Sequence, residues 1–280
     1  MNELAETLTG IRVVTLAPNV PGPVAAARLR DLGAAVLKVE PPAGDFLAAS
    51  APAWYAELHR DMTIERIDLK TPAGRDALDV RLTGADVFLT SSRPSALERL
   101  GLGWDALHAR HPQLVHVAIV GERPPNAEHA GHDLTYVAQL GLLDPPVMPR
   151  TLLADLAGAE RAVTATLALL IARARRGNGK GAQALVSLRE AAEGFAKPLE
   201  HGLTAPGGTL AGAFPGYRTY RTRDGWIAIA ALEPHFWKRM CDLLGDGDPA
   251  ADFAAAFATR DGVAWTAWAR EHDMPLVAFT

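Results

Sequence analysis

The chain has 280 residues, 49% of them hydrophobic, with 28 Lys and Arg against 32 Asp and Glu and a formal charge of -4. That length and apolar content can bury a sizeable core, in one large domain or two unequal ones, and the near-balanced charge provides no overall positive field to draw nucleic acid or an anionic membrane. A single cysteine, Cys241, excludes an intrachain disulfide framework and suits a reducing cytoplasm, the compartment expected here.

The opening residues are acidic and lack the apolar run of a signal peptide, and no later stretch is apolar for long enough to span a bilayer, so no membrane association is expected. Residues 11–16 read as a buried β-branched strand, 18–23 as a connection rich in Pro and Gly, 24–32 as an amphipathic helix and 35–40 as the next strand. This β-α-β unit predicts parallel pairing with a right-handed crossover.

Further strands are predicted at 86–89 and 114–119, with short helices at 95–100 and 104–110, so the first portion is α/β. A helix over 135–141, a Pro-rich loop at 144–149 and a long helix over 157–175 follow, the last ending at Gly177, which tolerates a left-handed cap. From about residue 202 the composition changes. A Gly-rich stretch precedes two strands, 217–221 and 226–230, that read as a hairpin, and helices follow over 234–244, 250–258 and 263–272. The amphipathic setting of Cys241 makes it core filler.

Several familiar motifs are absent. The connection at 18–23 lacks the Gly-x-Gly-x-x-Gly spacing that lets backbone approach a pyrophosphate, so Glu40 at the end of the second strand does not mark a dinucleotide site. There is no nucleophile elbow, P-loop or metal-ligand spacing. His108 and His111 flank a helix end while His116 falls in a strand, so no metal is expected.

Other segments, taken in order, carry a resemblance. They include Leu8-Thr9-Gly10-Ile11-Arg12-Val13-Val14, Pro21-Gly22-Pro23, Lys38-Val39-Glu40-Pro41-Pro42-Ala43-Gly44-Asp45 and Asp68-Leu69-Lys70-Thr71-Pro72. Arg93-Pro94, Gly131-His132-Asp133-Leu134-Thr135-Tyr136, Leu152-Leu153-Ala154-Asp155-Leu156-Ala157-Gly158 and Leu232-Glu233-Pro234 follow. Together they resemble the class III CoA-transferase family, which includes L-carnitine CoA-transferases, bile-acid-inducible proteins and α-methylacyl-CoA racemases.

The resemblance implies an α/β fold with a Rossmann-like large domain, residues 1–201, and a smaller α+β domain, residues 202–280. It also implies a homodimer whose chains wrap through one another. The substrate is expected to be an acyl-CoA, with coenzyme A as part of it and no tightly bound cofactor. Transferases of the family use an aspartate matching Asp155 as a nucleophile, and racemases pair that aspartate with a histidine matching His132, so Gly-His-Asp here favours the racemase branch. The resemblance is compatible with three activities. One is a 2-methylacyl-CoA racemase or epimerase working through an enolate, one a transferase passing through an aspartyl-CoA thioester, and one a catalytically impaired relative that binds acyl-CoA or only dimerises.

Moving a proton beside a thioester carbonyl needs a base on one face, an acid on the other and stabilisation of the enolate. Imidazole titrates near neutrality and a sheltered carboxyl can be raised towards it, so His132 and Asp155 are of the right types. Asp155 is placed just ahead of the long helix, whose first amides would face the enolate oxygen; that position also suits an N-cap, which would lower its pKa. Glu233 and Asp133 are candidates for orienting the histidine, and Glu233 also reads as the first acidic residue of its own helix. For the phosphates of CoA the candidate cations are Lys38, Arg93 and Arg75, each of which also reads as a solvated surface charge.

The family pattern is broken in places. Asp61-Met62-Thr63 stands where relatives carry a basic pair, which removes charge-assisted bonds of roughly 1.5–3 kcal/mol each. Gly158-Ala159-Glu160-Arg161 replaces a Gly-rich helix start, bringing a negative charge towards the enolate, and the chain ends at Thr280, so the segment that returns to the large domain is expected to be missing.

Overall fold

The computed structural model describes residues 3–280. It divides into two compact units, Met1–Phe195 and Ala196–Thr280. In chain order the first unit contains β1 (Arg12–Thr15), α1 (Pro21–Asp31), β2 (Ala35–Glu40), α2 (Phe46–Ser50), α3 (Pro52–Leu58), β3 (Thr63–Arg66) and α4 (Pro72–Leu82). It continues with β4 (Val87–Thr90), α5 (Pro94–Arg99), α6 (Trp104–Arg110), β5 (Val115–Val120), α7 (Asp133–Gln139), α8 (Leu153–Arg176) and β6 (Gln183–Ser187). Helix α9 (Leu188–Glu200) contains the change of unit, which falls inside the helix and not in the Gly-rich stretch after it.

The six strands form one sheet in the order β3-β2-β1-β4-β5-β6, every neighbouring pair parallel. This is the doubly wound order, in which the chain reverses direction of travel between β1 and β4. The central strands β4 and β5 are buried at every position, as a sheet covered on both faces requires. Strand alternation divides the core in two. Val13, Val87, Leu89, Val115 and Val117 pack with α1 and α8 on one face, while Val14 and Phe88 pack with Leu78, Leu82 and Leu107 on the other. Full burial of each such side chain stabilises the fold by roughly 1.5–3 kcal/mol.

Helix α1 is Ala-rich because it lies close against its surroundings. Pro21 and Pro23 suit its first turn, where no N–H donor is missed, and a Cβ on Gly22 would lie 2.1 Å from the Ala17 Cβ. The end of β1 and the start of α1 are therefore pressed together, which fixes the intervening loop over the carboxyl ends of the strands. At the far end of α8, Gly177 takes the left-handed cap (φ 65°) that its position predicts.

The second unit contains β7 (Tyr217–Arg221), β8 (Trp226–Ala230), α10 (Pro234–Leu244), α11 (Pro249–Phe257), α12 (Gly262–Glu271) and β9 (Leu276–Phe279). Its antiparallel sheet, ordered β7-β8-β9, joins the predicted hairpin to a third strand that the sequence reading missed. Ile227, Ile229 and Tyr220 pack with Phe253, Phe257 and Trp265 in a separate core, and Cys241 packs against it, half-buried. No helix among the described residues is long and apolar enough to cross a membrane.

Candidate active site

A cavity of ≈ 230 Å³ opens at the carboxyl ends of β1, β4 and β5, lined by Asn19, Arg93, Gly131, His132, Tyr136 and Asp155 among others. A second, of ≈ 460 Å³, lies over the ends of β1, β2 and β4, with Glu40, Asp68, Lys70 and Arg99 in its wall. Pro18 and Ser92 line both, so the two cavities meet where β1 and β4 diverge. In open α/β sheets that divergence is where ligands bind, because the loops on either side run in opposite directions and leave a crevice.

Asp155 lies within the first turn of α8, two positions beyond its first residue, and Leu152 is the capping position with no side-chain cap bond. The placement just ahead of the helix is thereby corrected. The capping acceptor comes instead from Asp133, whose Oδ1 accepts the Asp155 backbone N–H at 3.0 Å. That amide is therefore committed and is not among those free to face an enolate oxygen.

The Asp155 carboxyl is pushed up to about 6, by burial first and by the negative Asp133 second, with His132 pulling the other way. A helix N-terminus favours the charged form of a carboxyl; here burial and a like charge outweigh it. Asp133 itself is buried, while His132 is exposed at the capping position of α7, its backbone N–H held by Thr135 Oγ1 at 3.1 Å. The structure thus brings His132 and Asp155 to one cavity, with Asp133 behind Asp155.

The candidate cations separate. Arg93 is exposed, caps α5 through its backbone and lines the cavity beside His132 and Asp155. Arg75 is half-buried and spends Nη1 on the carbonyls of Leu69 and Lys70, at 3.2 and 3.1 Å, bracing a rim of the second cavity. Lys38 does not fit its expected place as a phosphate anchor. It is 1% exposed, and its ammonium lies 2.5 Å from Asp45 Oδ2, 3.3 Å from Glu40 Oε1 and 2.7 Å from His59 Nε2. Burying an ammonium demands opposing charge, and three polar partners already surround this one.

Glu40, Asp45 and His59 have ligand atoms within 4.8 Å of one another, a spacing that would suit a metal ion. The Lys38 ammonium supplies the positive charge there. Glu233 belongs to the second unit, where it is the exposed capping position of α10. Glu160, expected to bring negative charge towards the chemistry, instead pairs with Arg28 on an exposed flank at 3.1 Å.

Tyr136 is a site residue whose role the sequence reading missed. It is 3% exposed, its ring lines the cavity, and its hydroxyl has no hydrogen-bond partner among the described residues. Burial and the negative charges of Glu122 and Asp155 raise its pKa, so it stays a neutral donor. A Cβ on Gly121 or Gly131 would fall 2.0 or 2.5 Å from that hydroxyl, so both glycines leave it room. The only signal for Tyr136 in the sequence was its place in the Gly-His-Asp segment.

A probable fatty acyl-CoA transferase of Mycobacterium tuberculosis is 30% identical over 281 residues, covering 89% of this chain and 71% of that protein. Human α-methylacyl-CoA racemase is 33% identical over 256 residues, covering 85% of this chain and 65% of the racemase, so the chain spans less than two thirds of that enzyme's length. A crystal structure of a hypothetical protein from M. tuberculosis is similar with a TM-score of 0.84 at 27% identity, covering 99% of this chain and 86% of that one. The family model for CoA-transferase family III matches residues 8–274. With a doubly wound sheet, a crevice at its reversal point and a sequence match along nearly its whole length, the chain belongs to CoA-transferase family III.

Proposed function

We propose that the protein epimerises 2-methylacyl-CoA thioesters by moving the proton on the carbon next to the carbonyl. The observation that carries this reading is the placement of His132 and Asp155 in one cavity, with the Asp155 carboxyl raised to about 6. A carboxyl raised that far can give as well as take a proton, and an imidazole ring can act as acid or base, which the two directions of an epimerisation require. One of the pair removes the α-proton, the C–H electron pair moves into the carbonyl to form an enolate, and the other returns a proton to the opposite face. The Tyr136 hydroxyl is the donor available to the enolate oxygen, and a neutral donor in a sheltered site stabilises such charge as it develops.

Coenzyme A is a long ligand, and two cavities meeting at Pro18 and Ser92 suit it, with the thioester in the first and the nucleotide in the second. Arg93 follows Ser92, where the two cavities meet, and is the candidate cation for the pyrophosphate that links the two portions, while Lys70 and Arg99 line the second cavity. The orienting role of Glu233 and action as a homodimer rest on the family resemblance alone. Incubation with one pure epimer of a 2-methylacyl-CoA, followed by separation of the epimers, tests the proposal. A mixture approaching equal amounts supports it, and an unchanged epimer refutes it.

A transferase reading has its own support in the named activity of the M. tuberculosis relative and in Asp155, which carries negative charge above about pH 6 and can attack a thioester. Hydroxylamine trapping of an Asp155 adduct distinguishes it. Binding of acyl-CoA with neither outcome leaves a binding protein.

A further inference from the structure

Asn19 sits in the loop between β1 and α1 and lines the cavity that holds His132 and Asp155, with φ at 67°. That left-handed conformation is uncommon for a residue with a side chain and persists where its surroundings hold it. The Asn19 backbone N–H is tied outside its own loop: Asp45 Oδ1 accepts it at 3.2 Å. The same oxygen accepts the Leu47 N–H at 2.9 Å, capping α2, while Oδ2 accepts from Lys38 Nζ.

Lys38 is held in turn. His59 Nδ1 lies 2.7 Å from the Tyr55 carbonyl, so it carries the proton and leaves Nε2 to accept from the ammonium at 2.7 Å. The Tyr55 hydroxyl donates to Glu40 Oε1 at 2.6 Å, and that oxygen lies 3.3 Å from Lys38 Nζ. Lys38 and Asp45 are both at least 95% buried, at 1% and 5% exposure. Capping a five-residue helix does not by itself require a buried ion pair, with its desolvation cost. A carboxylate fixed on one side by Lys38 is, however, a rigid acceptor for the left-handed turn at Asn19 on its other side.

We propose that Asp45, fixed by Lys38, is a positioning residue for the active site: through the Asn19 N–H it holds the β1–α1 loop in the conformation that sets Asn19 in the cavity with His132 and Asp155. This rests on the epimerase reading for its kinetic consequence, but the positioning itself is readable without substrate.

The experiment compares the wild type with Asp45→Ala and Asp45→Asn. Amide hydrogen exchange over residues 16–20 is measured first, then kcat and KM for a 2-methylacyl-CoA. In Asp45→Ala the Asn19 amide should exchange roughly tenfold faster or more, and kcat should fall about tenfold with KM little changed. Asp45→Asn keeps an oxygen that accepts the Asn19 N–H but loses the acceptor for Lys38, so it should lie between Asp45→Ala and the wild type in both. If Asp45→Ala folds and leaves amide exchange or kcat at the wild-type value, the proposal is overturned. Should that variant not fold, the wild type still decides: protection of the Asn19 amide is required, and exchange at the rate of an unprotected loop overturns the proposal. An inactive wild type would defeat the epimerase reading and leave the amide result to stand alone.

Discussion

The Asp133 carboxylate accepts the Asp155 backbone N–H at 3.0 Å, so the residue after His132 both caps the helix bearing Asp155 and charges its surroundings. The two effects separate by substitution. Asp133→Ala removes the cap and should cost about 1 kcal/mol of stability, within a range of roughly 0.5–2. Asp133→Asn keeps an acceptor oxygen but not the charge, so the Asp155 pKa should fall while the melting temperature stays close to that of the wild type. Denaturation curves measure the first effect, and the acid limb of the pH–rate profile the second.

Asp155 also makes stability depend on pH in a defined direction. Its folded pKa, about 6, lies above the ordinary 3.8, so the folded state holds this proton more tightly than the unfolded chain. Stability from this group is greatest at low pH and declines as pH rises from about 4 through about 6, by roughly 2–3 kcal/mol in all. Asp155→Asn, a neutral mimic of the protonated form, should therefore be more stable than the wild type at about pH 8, and the difference should vanish near pH 4. Urea denaturation at the two pH values tests this, and an unchanged difference would show that the carboxyl is not raised.

Arg93 lines the cavity and forms no ion pair among the described residues. A charge-assisted contact to an anionic ligand is worth roughly 1.5–3 kcal/mol. Arg93→Ala should weaken coenzyme A binding by about ten- to a hundredfold in calorimetry, with no loss of thermal stability. Lys38→Met, by contrast, should act on stability first, because it strips the positive charge from between Asp45 and Glu40.

Gly121 and Gly131 leave space for the Tyr136 hydroxyl, with added Cβ atoms meeting it at 2.0 and 2.5 Å. Because the ring is buried, it cannot swing out cheaply. Gly131→Ala should displace it and lower kcat by roughly tenfold or more, while coenzyme A affinity stays near the wild-type value. Stopped-flow or steady-state kinetics alongside calorimetry will show the split.

Much of the fold was legible because its elements announce themselves locally. The apolar runs of β1, β2, β4 and β5 and the Gly and Pro between them identify a parallel α/β sheet, and the Thr222–Gly225 turn announces the β7–β8 hairpin. Strand β3 was missed because Thr63–Arg66 lies at the sheet edge, largely exposed, with no apolar alternation to read. Lys38 was misread because a lone lysine in a strand resembles a surface charge, and its partners Asp45 and His59 reach it from the separate helical segments after β2. Likewise the cap from Asp133 to Asp155 spans 22 residues of sequence, a separation at which no local pattern operates. His132 and Asp155 were found through a resemblance, and the geometry then supplied their shared cavity.

The most direct measurement is deuterium incorporation at the α-carbon of a 2-methylacyl-CoA incubated with the protein in heavy water, followed by NMR. The account predicts incorporation from either epimer by the wild type and, in a His132→Ala variant that still binds coenzyme A, no epimerisation and no incorporation from the epimer whose α-proton faces His132. Incorporation by His132→Ala from both epimers at the wild-type rate, or none by a wild type saturated with substrate, would contradict it.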